Sequence, residues 1–450
     1  MKKYVKYISL LFTFAIILLQ VQTIGIFLAS ESRTGIEAEP VPRSLVAGSR
    51  HTLTIKCDGS LWAWGDNGSG QLGDDTTMVR RSPVKIMDNV TAIAAGLRHS
   101  MAVTDDGILW AWGSDFFGRL WEGSYIAQHS PKKIMEDVIY VSTGEYGTMA
   151  ITSDGSLWVW GVVLSERRGN SINLSTISTP TRIKENVTVV SVGLCHSMAV
   201  TSDGKLWAWG NNLNGQIGDG TTIPRNGPEY LMNPVHVMDN VVSVAAGNQN
   251  SMAITSDGKL WAWGRCFRDR STGIATSIHH TSPVFIMDDV VSISTNLRNS
   301  IAVTSDGGLW VLDRNNRGLL EESAHSDPLG PIMMMDNVVT ATAGLEHTVA
   351  ITSCGSLWAW GRNNVGQLGN GTITDSRTPI HIADDNYVSP MVETTGIGFS
   401  DISAGLHHSL AVKADGSLWS WGRNQNGQLG DGSTQIRLRP DKIMDNVVMA

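Results

Sequence analysis

Beyond residue 43 the chain runs in short apolar segments of four to six residues, separated by glycine-marked polar turns. Leu206 to Trp209 is typical. Trp207 and Trp209 share one face of an extended segment, and Leu206 and Ala208 share the other. Both faces are apolar, so such a strand is covered on both sides. The preceding strand, Ser197 to Thr201, reaches it through Asp203-Gly204, a dipeptide favoured in two-residue hairpins because both central positions take positive φ. Val241 to Ala246 predicts an innermost strand, its small residues suited to a crowded axis. Pro283 to Met287 predicts an outer strand, where the missing proline N–H costs little.

This unit recurs. The segment Asp58-Gly59-Ser60-Leu61-Trp62-Ala63-Trp64-Gly65 has copies anchored at Gly107, Gly155, Gly204, Gly258, Gly307, Gly355 and Gly416, with spacings of 48, 48, 49, 54, 49, 48 and 61. Three more motifs keep phase with it, typified by Ala95-Gly96-Leu97-Arg98-His99-Ser100, Gly215-Gln216-Ile217-Gly218-Asp219 and Pro83-Val84-Lys85-Ile86-Met87-Asp88. Four strands per unit without helical periodicity predict an all-β fold, a closed β-propeller of seven or eight four-stranded blades. Eight units are present, with a ninth inner-strand fragment at Asn446 to Ala450. The ring has eight blades, or one terminal unit closes seven, or the chain is part of a longer array.

The Gly-x-Leu-Trp-x-Trp-Gly, Gly-Gln-Leu-Gly and Ala-Gly-x-x-His-Ser pattern resembles the repeat of the regulator-of-chromosome-condensation family, over residues 43 to 450. The resemblance implies a propeller, usually seven-bladed, that works by binding a partner. The family's nuclear founder performs guanine-nucleotide exchange on a small GTPase, and a bacterial β-lactamase inhibitor protein has the same repeat type.

Charge and leader change the functional picture. Lys2, Lys3 and Lys6 precede an apolar stretch from Ile8 to Ala29 that is densest at Leu10 to Leu19. Residues 1–30 are read as a secretory signal, or as an uncleaved membrane anchor, since the stretch is just long enough to span a bilayer. Residues 31–43 form a linker and 44–450 the propeller, in a secreted or cell-surface setting. The formal net charge is -8, and the body without the leader has 31 basic against 42 acidic residues. That balance argues against nucleic acid and against anionic membrane, except through the leader. A protein partner is expected instead, and nucleotide exchange is disfavoured.

Several chemistries are suggested and then weakened by their own context. His51, His99, His196, His347 and His408 fill equivalent slots, as a metal ring would, but Asn250, Asn299 and Gly147 fill the same slot elsewhere. Packing is the expected role and no metal is assigned. Gly68-Ser69-Gly70-Gln71-Leu72-Gly73 has the spacing of a dinucleotide loop, yet a strand follows rather than a helix. Asp74, Asp75, Asp219 and Asp431 lack the spaced ligands of a calcium loop. Cys195 and His196 are strand neighbours and point to opposite faces. No catalytic set converges, so a binding protein with no cofactor is expected rather than an enzyme.

With strands labelled A to D outward from the axis, the A–B and C–D connections share one face, and B–C and D–A share the other. Cys57 and Cys354 then lie on the second face, in units one and seven, and meet only if seven blades close the ring. Free thiols are the expectation. Fifteen of the 16 tryptophans fill Trp-x-Trp slots; Trp121 instead replaces a turn glycine. Units one, four, seven and eight keep the Gly-Gln-Leu/Ile-Gly turn of the C–D loop. Units two, three, five and six lose it and gain Phe116, Phe117, Trp121 and Tyr125; Arg167 and Arg168; Phe267, Arg268 and Arg270; and Arg314 and Arg317. Aromatics and arginine dominate binding hot spots. These residues are therefore the candidate partner-binding site, with the D–A insertion Asp384 to Ser400 as the rival on the other face. The expected role is an extracellular protein-binding scaffold; the alternatives are an inhibitor of a secreted or cell-wall enzyme and a propeller lyase.

Overall fold

The computed structural model describes residues 44–115, 120, 126–144, 147–168, 171–194, 196–224, 234–265, 279–295, 300–312, 331–383 and 398–448. They lie in the unit Glu37–Ala450, one of two into which the chain divides, the other being Met1–Ile36. The described residues build eight four-stranded antiparallel sheets, each with its strands in chain order. In blade 2 strands A to D are Val90–Ala95, His99–Thr104, Leu109–Gly113 and Gln128–Met135. Blade 1 begins at Leu45 and blade 8 ends at Met444.

The core is a series of slabs between neighbouring blades. Leu53, Leu61, Ala63 and Leu72 of blade 1 pack with Ile93, Ala102 and Trp112 of blade 2. The second tryptophan of each Trp-x-Trp pair is buried in this way at Trp64, Trp112, Trp160, Trp209, Trp263, Trp360 and Trp421. The apolar character of both strand faces comes from this packing, since each blade is covered on two sides.

The ring has eight blades, and the ninth fragment completes the first. Leu45–Ala47 pairs with His51–Ile55, but the residue facing Lys56 is Val447. Val448 N donates to Ile55 O (3.0 Å), Cys57 N to Asn446 O (2.8 Å), and Ser44 Oγ to Val448 O (3.0 Å). Blade 1 thus has an inner strand in two pieces, one from each end of the propeller sequence. Leu45, Trp64, Leu410, Val412 and Val447 form the slab that seals blade 8 to blade 1. Cys57 and Cys354 are free, exposed thiols, and blade 8 stands between their blades.

One local expectation is corrected. Gly204 has φ +77°, but Asp203 does not have positive φ. Gly204 N donates to Thr201 O (2.8 Å) and Thr201 N to Lys205 O (3.0 Å). The B–C connection is therefore a three-residue loop with glycine alone in the left-handed region, not a two-residue turn. Asp203 acts through its side chain instead, accepting from Thr201 Oγ1 at 2.6 Å. Left-handed non-glycine residues occur in the D–A turns, at Asn89, Asp137, Asn186, Asn240, Asp289, Asn337 and Asn446. Asn and Asp tolerate that conformation best among residues with a Cβ.

Candidate partner-binding face

In blade 1 the C–D loop is held by one asparagine. Buried Asn67 accepts from Leu72 N (3.0 Å) and donates to Asp74 Oδ1 (2.8 Å) and Thr76 O (3.0 Å). Asn212, Asn363 and Asn424 repeat this in blades 4, 7 and 8, accepting from Ile217, Leu368 and Leu429. The aspartates read as turn formers do that work: Asp74 and Asp431 are bonded to their own asparagine and to Arg80 and Arg437.

Each such loop also ties its blade to the next. Gln71 O accepts from Ser100 Oγ (2.7 Å) and Trp112 Nε1 (3.0 Å) of blade 2. Gln216 O does the same for Ser251 and Trp263, Gln367 O for Ser409 and Trp421, and Gln428 O for Thr52 and Trp64. The last glycine of the motif is required by close approach. A Cβ at Gly73 would stand 2.7 Å from Trp112 Nε1, and one at Gly430 2.8 Å from Trp64 Nε1.

The histidine slot joins the same tie. His51 Nε2 lies 2.9 Å from Ser100 Oγ, and that hydroxyl already spends its proton on Gln71 O. His51 is therefore the donor, protonated on Nε2. His196 stands in the same relation to Ser251 (2.8 Å), and His347 to Ser409 (2.9 Å). Asn250 Nδ2 donates to Ser300 Oγ at 2.8 Å, so an amide replaces the imidazole. Burial lowers the pKa of His51 and His196 from 6.5 to about 4, and that of His347 and His408 to about 3. These imidazoles are neutral at pH 7, and their role is to link blades.

The diverged loops differ. Blade 2 keeps the first part of the scheme, with buried Asp115 accepting from Leu120 N (2.9 Å). Blade 3 replaces the loop by strand. Its strand C runs Leu157–Arg168 and its strand D Ser171–Lys184, with Arg167 opposite Ile172 and Arg168 opposite Ser171. Arg167 and Arg168 thus stand at the end of a long hairpin rather than in an irregular loop. Phe116, Phe117, Trp121, Tyr125, Phe267, Arg268, Arg270, Arg314, Arg317 and the insertion up to residue 397 lie outside the described residues. In two blades that follow diverged loops, 3 and 7, the buried Thr148 Oγ1 and Trp360 Nε1 find no partner among the described residues, while Trp160 and Thr348 of the same blades are engaged.

Charged residues recur at fixed places on both faces. Each described D–A turn has an acid before its left-handed residue: Asp88, Glu136, Glu185, Asp239, Asp288, Asp336 and Asp445. The A–B and C–D face presents arginines beside the acids of its loops, among them Arg50, Arg98, Arg265, Arg362 and Arg423. Sequence reasoning passed over these five. Their signal was positional, since each precedes a histidine slot or follows the glycine that ends strand C.

A family model described as RCC1-like domain matches residues 29–265 and again 176–449. The chain belongs to the RCC1-like domain family. Among curated relatives of this RCC1-like chain, the Arabidopsis thaliana ultraviolet-B receptor UVR8 is 50% identical over 54 residues, 12% of each protein. Human protein RCC2 is 45% identical over 40 residues, 9% of this chain and 8% of RCC2. The match thus spans a small part of each relative's length. Human WBSCR16 has a similar structure at TM-score 0.57 and 20% identity, covering 86% of this chain and 94% of that one. Prp20p of Saccharomyces cerevisiae gives 0.56 and 18%, covering 87% of each. Identities this low speak to fold.

Proposed function

We propose that this propeller is a protein-binding scaffold whose partner seats on the A–B and C–D face, across the diverged loops of blades 2 to 6. One observation carries the reading. The intact loops spend their polar groups tying blades together, whereas blades 3 and 7, which follow diverged loops, each hold a buried polar atom, Thr148 Oγ1 and Trp360 Nε1, without a partner among the described residues. A buried unsatisfied group costs about 1–3 kcal/mol. Loops retained at such a cost, and rich in Phe117, Trp121, Arg167 and Arg268, serve contact rather than ring stability. The fold neighbours support a protein partner: Prp20p has been studied for binding to Gsp1p and histones, and yeast RCC1 (Prp20) is seen bound to Kap60. The apolar leader supports an extracellular setting, where inhibition of a secreted enzyme is one form that binding takes.

The test is a pull-down with the full chain, repeated with Phe117→Ala plus Trp121→Ala. Loss of about 2 kcal/mol or more per residue in affinity, with an unchanged melting temperature, is the expected result. Unchanged affinity with lowered stability would transfer the site to the face of the Asp384 to Ser400 insertion.

A further inference from the structure

Two positions recur side by side on the A–B and C–D face. One precedes the histidine slot; the other follows the glycine that ends strand C. A backbone hydrogen bond from the second to the first ties them together. It joins Asp66 to Arg50 (2.9 Å), Ser114 to Arg98 (2.8 Å), Arg265 to Gln249 (2.8 Å), Arg362 to Glu346 (2.8 Å) and Arg423 to His407 (3.0 Å). The A–B loops end the innermost strands, so these pairs form a collar on that face of the ring, beside its A–B loops.

Among the described residues the collar holds five arginines against two acids, Asp66 and Glu346. Glu346 is engaged by Arg362. Among the described residues Arg423 meets a neutral acceptor, Gln425 Oε1 at 2.7 Å. Arg50 and Arg98 are exposed, and neither forms an ion pair among the described residues. Among the described residues, three consecutive blades, 8, 1 and 2, therefore carry an arginine in no ion pair, exposed at Arg50 and Arg98 and half-buried at Arg423. The groups are also close together. His407 is held below its ordinary pKa first by burial, then by Arg423, with Arg362 and Arg50 adding to the effect and Glu346 opposing it. The positive collar stands on a chain of net charge -8.

We propose that the collar at blades 7, 8, 1 and 2 docks an acidic segment of the protein partner. Guanidinium forks match carboxylates in a paired, directional way, and unpartnered arginines lose least on being covered by them. A nucleic acid would need a longer basic track and would meet the repulsion of an acidic body. The inference rests on the reading of this face as the binding face. It adds the partner's chemistry and a contact area separate from the loops of blades 2 to 6.

The probe is fluorescein-labelled decaglutamate, titrated with the full chain at low salt and followed by fluorescence anisotropy. Arg50→Ala with Arg423→Ala is expected to weaken binding about tenfold, and Arg98→Ala about threefold, with salt weakening the wild type. Arg98 is exposed, so its variant keeps the wild-type melting temperature and remains informative should the double variant fold poorly. Arg182→Ala, on the other face, leaves binding unchanged. Phe117→Ala with Trp121→Ala also leaves decaglutamate binding unchanged, which separates this collar from the proposed loop site. Decaglutamate binding that ignores the arginines overturns the proposal. Equal, arginine-dependent binding of decathymidylate overturns it in favour of a general polyanion site.

Discussion

Blades 1, 4, 7 and 8 share a strand plan with blades 2, 3, 5 and 6 and differ from them in one loop. In the first group the Asn–Gly-Gln-Leu-Gly loop folds onto its own asparagine and offers the glutamine carbonyl to a hydroxyl and an indole of the next blade. In the second group the same connection is a long hairpin in blade 3, keeps the first part of the scheme in blade 2, and departs from the Gly-Gln-Leu-Gly sequence in blades 5 and 6. The slot histidine does not follow the division strictly: blades 1, 4, 7 and 8 carry one and so does blade 2, at His99, whereas blade 5 has Asn250 and blade 3 has Gly147. Three of the intact blades, 7, 8 and 1, are consecutive and enclose the seam where the ring closes. Intact loops are thus concentrated where the ring closes.

The largest effect expected of this division is its response to acid. Four tie histidines are neutral and buried, with pKa values of about 4 and about 3 against 6.5 when exposed. Protonation therefore favours the unfolded chain. Stability should be flat above about pH 6.5 and fall as the pH drops toward 4, by roughly 2 kcal/mol per histidine at pH 5. Hydrogen exchange at pH 4.5 should lose protection first in blades 7, 8 and 1. Uniform loss around the ring, or none, would mean that these histidines do not hold the seam.

Next comes a transplant. Gly430→Trp places in the seam what blade 2 has at Trp121. Gly430 has φ +79° and its Cβ would meet Trp64, so a loss of about 3 kcal/mol or more in urea unfolding is expected. A tolerated tryptophan there would show that the intact loop adapts, and the two classes of blade would no longer be distinct.

The smallest effect sharpens the comparison most. Trp421→Phe removes a buried donor from Gln367 O, whereas Trp360→Phe removes one with no partner among the described residues. The first should cost about 1–2 kcal/mol and the second close to zero. Equal losses in thermal unfolding would place an acceptor beside Trp360.

The strands, their order and the loop classes were legible because each blade repeats one pattern whose periodicity is local. The tie itself was half legible. The glutamine motif and the histidine slot were visible, but their meeting across blades, through Ser100 and Trp112, joins residues far apart in the chain. The collar escaped sequence reading for the same reason: Arg50 and Arg423 belong to opposite ends of the propeller sequence, and only closure makes them neighbours. Asp203 misled because Asp-Gly is compatible with both hairpin types, and the length of the loop is set by where the strands pair.

The sequence by itself determined what one blade is. Short apolar runs, turn glycines and paired tryptophans specify four strands covered on both faces, and eight phased copies specify eight such sheets. It did not determine how many blades make a ring. That number follows from the angle between neighbouring blades, summed around the axis, and each angle is set by packing across a slab, as between Leu72 and Trp112. Only the tertiary structure could decide that Val447 pairs with Lys56, so that the fragment left over in the sequence is the missing half of the first strand.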